Sequence, residues 1–151
     1  MNFLDHIRRC NAHDLTQFVP WFIGAARAGY VRPALAKRLQ DFPDVFETRA
    51  SGLLLLPSLR TPLERTVALK NVLAKLREDG IGGPHRLEPY AVVERVGGPS
   101  LMAIDRGAAS AFGIISTGFH MNGTVGGRSA GLAMWIARRA LTKMTFPGLL
   151  D

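Results

Sequence analysis

The chain of 151 residues contains one cysteine, Cys10, so a disulfide framework and any cysteine-rich metal site are excluded. No stretch approaches the roughly 18 apolar residues that a membrane-spanning helix needs. The leucine run at 53–56 is far too short. The N-terminus, MNFLDHIRRC, mixes acidic and basic residues into an amphipathic pattern and lacks a signal peptide's charged start and long apolar run. These absences predict a soluble cytoplasmic protein with no membrane partner. No glycine-rich turn is followed by Gly-Lys-Ser/Thr, which excludes a P-loop. Gly123-Thr-Val-Gly126-Gly127 lacks the strand–helix context of a dinucleotide fingerprint and reads as a hairpin turn. Ser116 and Ser129 lie near His120 in sequence, but neither sits in a nucleophile elbow. Carboxylates are scattered, apart from Glu78-Asp79 at a helix end, so the hard-oxygen cluster of a divalent-cation phosphate site is missing. Stacked aromatics and a helix-turn-helix pattern are also absent, which argues against nucleic acid as a partner.

What is present is an ordinary globular composition, 47% apolar and 21% charged, with a formal net charge of +7. That excess favours an anionic partner, and excess surface arginine explains it equally well. Phe3, Leu4, Ile7 and Cys10 form one stripe of a short N-terminal helix, and Cys10 with His6 and His13 reads as its half-buried face, since a metal would want a further ligand. Residues 18–23 and 29–31 predict a hairpin turning at Gly24-Ala25, with Trp21 in the core. Pro33 opens a helix whose buried stripe is Leu35, Leu39 and Phe42. A second hairpin is expected across Ala50-Ser51-Gly52, and the four leucines after it imply a strand buried on both faces.

Thr61-Pro62-Leu63-Glu64 is a capping box. The helix it starts should bury Leu63, Val67, Leu69, Val72, Leu73 and Leu76 and end at Gly80, as a packing element without chemistry. His85 and Arg86 lie in a Gly/Pro-rich loop that either meets an anion or is simply solvated. Strands at 90–95 and 101–104 follow, then a short helix capped by Asp105 and stopped by Gly113. Residues 114–125 and 132–138 predict two longer strands. The domain boundary falls in loop 96–100 or at Gly113.

The densest functional pattern is in the last third. Arg138 and Arg139 are adjacent in an extended segment, so their side chains point to opposite faces, and Lys143 follows closely. Guanidinium groups suit phosphate through two parallel hydrogen bonds, whereas an ammonium acts as a point charge. His120 and Asn122 alternate onto one face of the preceding strand, and Trp135 offers an aromatic ring for stacking. A solvated basic edge strand accounts for this pattern nearly as well.

FLDHIRRCNAHDL and WFIGAARAGYVRPALAKRLQDFPDVF resemble the N-terminal domain of unknown function that precedes certain Nudix hydrolase domains. LMAIDRGAASAFGI and the terminal GFHMNGTV…GLAMWIARRALTKMTFPGLLD are similar to the same proteins, of the thiamine pyrophosphokinase-related, thiamine-diphosphate-hydrolysing type. The resemblance implies an α+β fold: a small mixed helix/hairpin accessory domain over 1–113, then the opening strands of a Nudix-type α/β/α sandwich over 114–151. It implies a small-molecule diphosphate substrate, approached by Arg138, Arg139 and Lys143, with His120, Asn122 and Trp135 also facing it. Mg²⁺ or Mn²⁺ is expected only in the complete enzyme, on a glutamate-rich Nudix box that this sequence does not contain, so no catalytic and no metal-binding residue is assigned. The chain alone is expected to be inactive, with unpaired edges that invite homodimerisation. The alternatives are a non-catalytic basic α+β module that binds nucleic acid or another polyanion, and an oligomerising fragment without independent activity.

Overall fold

Trp21 sits at the centre of the fold and is fully buried. The structure, a computed structural model, describes residues 2–119, 121–126, 131–143 and 146–150. It divides into two units, Met1–Ser116 and Thr117–Asp151, and its class is α+β.

In the first unit, β1 (Val19–Ile23) and β2 (Ala26–Val31) form the first hairpin, with Gly24 in the left-handed region that the turn requires (φ +60°). The second hairpin pairs β3 (Phe46–Arg49) with β4 (Gly52–Leu55). The hairpins join at the middle: β1 and β4 run parallel, with Trp21 opposite Leu53 and Ile23 opposite Leu55, giving the order β2-β1-β4-β3. Leu53, Leu54 and Leu55 are all buried, so both faces of β4 are covered as the leucine run predicts.

Three helices accompany this sheet. α1 (Phe3–Asn11) starts at a capping box between Asn2 and Asp5, yet none of its residues is buried, and Cys10 is exposed. The expected half-buried face is therefore corrected. Local hydrogen bonds define this helix, and its apolar stripe meets no covering element. α2 (Pro33–Leu39) buries Leu35, Ala36 and Leu39 in the crossover between the hairpins. α3 (Pro62–Glu78) begins with the expected Thr61–Glu64 capping box and buries Leu69, Val72, Leu73 and Leu76. Leu63 and Val67 are instead 72% and 50% exposed. The first turns of α3 dock through polar groups: Arg65 donates from Nε to the Leu59 carbonyl, from Nη1 to Leu101 and from Nη2 to Arg60.

β5 (Pro89–Val92) and β6 (Met102–Asp105) form a separate antiparallel pair, and α3 packs on β6. The Thr66 hydroxyl accepts the Ala103 N–H at 2.9 Å. Phe112 closes the core: its ring meets Trp21 edge-on at 5.8 Å, and its carbonyl accepts the indole N–H at 2.8 Å. At Gly113 (φ +54°) any Cβ would strike the Tyr30 carbonyl, so only glycine allows this approach. Ile114 is buried in the same core, so residues 114–116 belong to the first unit and do not open a strand.

The second unit replaces the two long expected strands with a minimal ladder, β7 (Thr124–Val125) against β8 (Ala133–Met134). None of its described residues is buried. Two-stranded pairing extends only when a face is covered, and no face is covered here.

Candidate functional site

The basic segment is held by its backbone. Arg138 bridges antiparallel to Leu150, the Arg139 N–H donates to the Leu149 carbonyl at 2.8 Å, and the Gly148 N–H donates to the Arg139 carbonyl at 3.1 Å. Arg138 and Lys143 are exposed and Arg139 is half-buried, which is the difference that neighbouring extended residues on opposite faces produce. Lys143 closes a turn by donating its N–H to the Ala140 carbonyl at 3.0 Å. Across the β7–β8 ladder, the Trp135 N–H donates to the Gly123 carbonyl, and the largely exposed Trp135 ring lies beside Gly123, next to the exposed Asn122. Of the expected residues, Arg138, Arg139 and Lys143 thus fall in one local segment, while Trp135 lies against Gly123, the residue that follows Asn122. His120 lies outside the described residues, as do Gly127 and Ser129. Among the described residues, no three His, Cys, Asp or Glu side chains converge on a point that could hold a metal.

The first unit holds a constellation that the sequence did not disclose. Asp105, at the end of β6, is only 11% exposed and gathers donors from three directions. Its carboxylate accepts the backbone N–H groups of Arg86 and Leu87 at 3.1 Å and of Gly107 at 2.8 Å. Arg77, from the last turns of α3, approaches it at 3.4 Å, and His85 Nε2 lies 3.6 Å away. Burial pushes the Asp105 carboxyl up, but the three backbone donors and the Arg77 guanidinium outweigh it and hold the group below its ordinary value. Arg77 also donates from Nε to the Gly83 carbonyl at 3.2 Å and from Nη2 to Pro84 at 3.1 Å. Gly83 and Gly107 permit the crossing of the two backbones. A Cβ on Gly83 would strike the Gly107 carbonyl, and one on Gly107 the Pro84 carbonyl. Beside this cluster lies a cavity of about 240 Å³, lined among others by Leu69, Lys70, Leu73, Arg77, His85 and Asp105. The sequence signal for it was slight: Asp105 before Arg-Gly reads as a cap, and no local pattern connects positions 77, 85 and 105.

Among the described residues no helix is long and apolar enough to cross a membrane. Two plant proteins are similar to this chain, both from Arabidopsis thaliana. Nudix hydrolase 20, chloroplastic, is 34% identical over 160 residues, and Nudix hydrolase 24, chloroplastic, is 36% identical over 153. Each alignment covers 99% of this chain and 42% of the relative, so the chain spans well under half the length of either. The names place those relatives in chloroplasts, whereas the sequence reading expected a cytoplasmic protein. Residues 2–116, nearly the whole first unit, match the family described as a domain of unknown function, DUF4743, and the chain belongs to that family.

Proposed function

We propose that this chain is the accessory unit and opening segment of a Nudix hydrolase that cleaves a small-molecule diphosphate, thiamine diphosphate or an oxidised analogue, and that it does not perform the cleavage alone. The observation that carries the reading is the alignment of two proteins named Nudix hydrolases with 99% of this chain, which accounts for 42% of each. The second unit supports it: a ladder of two residue pairs with no buried side chain lacks the apolar burial that offsets chain entropy, as expected of part of a larger sheet.

In this reading the basic segment of Arg138, Arg139 and Lys143 receives the diphosphate, one guanidinium of the opposed pair facing it and supplying direction and the ammonium supplying charge. Asn122 and Trp135 take the organic part, Trp135 through its open ring, and His120 is assigned to it by the resemblance alone. Hydrolysis of a diphosphate draws on Mg²⁺ or Mn²⁺ to offset charge and generate the nucleophile. The donor set does not fit such an ion, since among the described residues no three His, Cys, Asp or Glu side chains converge. In this reading carboxylates of the complete enzyme would hold the metal.

Two measurements test this. The purified chain with thiamine diphosphate and Mg²⁺ should release no phosphate above a buffer blank; release overturns the incompleteness. In calorimetric titration thiamine diphosphate should bind more tightly than thiamine, and replacing Arg138 and Arg139 with Gln should abolish the difference. An unchanged difference removes these arginines from the site.

A further inference from the structure

We propose that the cavity beside Asp105, in the first unit, is a binding site for a small organic monocarboxylate with a flat or branched apolar body. Its floor is apolar: Leu69 and Leu73 lie one turn apart on α3, with Ala103 and Ile104 of β6 opposite. Its rim is polar, and most of that polarity is already committed. The Thr66 hydroxyl donates to the Pro62 carbonyl and accepts from Ala103. Asp105 is engaged by three backbone N–H groups and Arg77. Glu88 is paired with Arg106 at 2.6 Å.

His85 Nε2 faces the Asp105 carboxylate at 3.6 Å; Lys70 remains, and Arg77 keeps Nη1, which takes part in none of these bonds. Arg77 is offset by Asp105 and Glu88 by Arg106, so Lys70 carries the one positive charge on the lining without a counter-charge among the described residues. One uncompensated cation beside an apolar floor matches one negative charge on an apolar body; a dianion would leave a charge unmet in a partly desolvated site. The volume of about 240 Å³ admits a ring or short branched chain with its carboxylate. The site is built entirely from the first unit, so it stands apart from the diphosphate reading of Arg138 and Arg139.

Titrating the full chain, ¹⁵N- and ¹³C-methyl-labelled, with benzoate tests the proposal. Saturable shifts are expected at Leu69, Leu73, Ile104 and His85. Benzyl alcohol, which has a similar body without the charge, and phenyl phosphate, which has a second charge, should both bind more weakly. Lys70→Gln should weaken benzoate about five-fold, the scale of one exposed charge pair, and Lys70→Arg should restore most of it. Because Lys70 is exposed on a helix face, both variants should keep the wild-type spectrum elsewhere. The proposal is overturned by shifts confined to the second unit, by benzyl alcohol or phenyl phosphate binding as tightly as benzoate, or by Lys70→Gln binding like wild type.

Discussion

Replacing Asp105 with Asn keeps the shape of the side chain and removes the charge that gathers the 83–89 loop, β6 and the end of α3. In the folded protein both carboxylate oxygens accept: one takes the Gly107 and Arg86 N–H groups, the other those of Leu87 and Arg86, with Arg77 beside it. Asn offers one acceptor oxygen and turns an NH₂ donor toward other donors. At the least it loses one backbone bond, that of Leu87 or that of Gly107, and the charged partner of Arg77. Leu87 holds a left-handed backbone, φ +55°, which a leucine adopts only under constraint. A hydrogen bond to a charged group contributes about 1.5–3 kcal/mol, so the variant should lose roughly 2–4 kcal/mol of stability. At about 2–4 °C per kcal/mol for a chain of this size, Tm should fall roughly 4–16 °C. Urea and thermal denaturation followed by circular dichroism measure the two quantities. The pH dependence gives an independent check. The folded-state carboxyl titrates below its ordinary value, so its contribution is fully present above pH about 4 and is lost as the pH falls through the lower folded-state value. Wild type and Asp105→Asn should converge in stability only in strong acid. A variant within about 0.5 kcal/mol of wild type at pH 7, or a constant gap from neutral to strongly acid pH, would refute the account of Asp105 as the junction of this loop.

The other expectations are simpler. Leu73→Ala, at a buried position of α3, should cost about 2–5 kcal/mol in urea denaturation, whereas Leu63→Ala on the exposed first turn should stay within about 0.5 kcal/mol. Trp21→Phe leaves the buried Phe112 carbonyl without its donor, and should cost at least about 1–3 kcal/mol while preserving the far-ultraviolet spectrum. Among the described residues every buried apolar one falls between Trp21 and Ile114, so a chain ending at Ser116 should unfold cooperatively with a Tm within a few degrees of the full chain's.

The residues that announced their structure did so through local chemistry. Thr61, Pro62 and Glu64 specify a helix start because capping acts over four residues, and Gly24 specifies a turn because it needs only its own φ. The stripe of α3 was legible where it is covered, at Leu69, Val72, Leu73 and Leu76. Leu63 and Val67 do not share that stripe: at about 100° per residue they point roughly 130–170° away from it, so helix geometry alone leaves them outside. The reverse error occurred at α1, where an amphipathic pattern implied a partner that the fold does not supply. The Arg77–His85–Asp105 cluster was illegible for another reason. It joins three elements across 28 residues, and each residue also has a sufficient local explanation: a helix C-terminus, a solvated loop and a cap. At the basic segment, sequence placed Arg138 and Arg139 on opposite sides of an extended chain, and their unequal exposure agrees. The strand lengths around them failed because extension depends on a neighbouring surface.

The parallel seam between β1 and β4 also shapes how the protein reaches its fold. Each hairpin closes a short loop and can form within microseconds. The seam must bring Trp21 to Leu53 across α2 and β3, with only three residue pairs to reward that closure. If the hairpins form first, one non-local step joins them, and fluorescence of the Trp21 indole, which must also reach Phe112 ninety-one residues along, should report its completion. Substitutions in the seam should slow folding, whereas those at the outer edges of β2 and β3 should mainly speed unfolding.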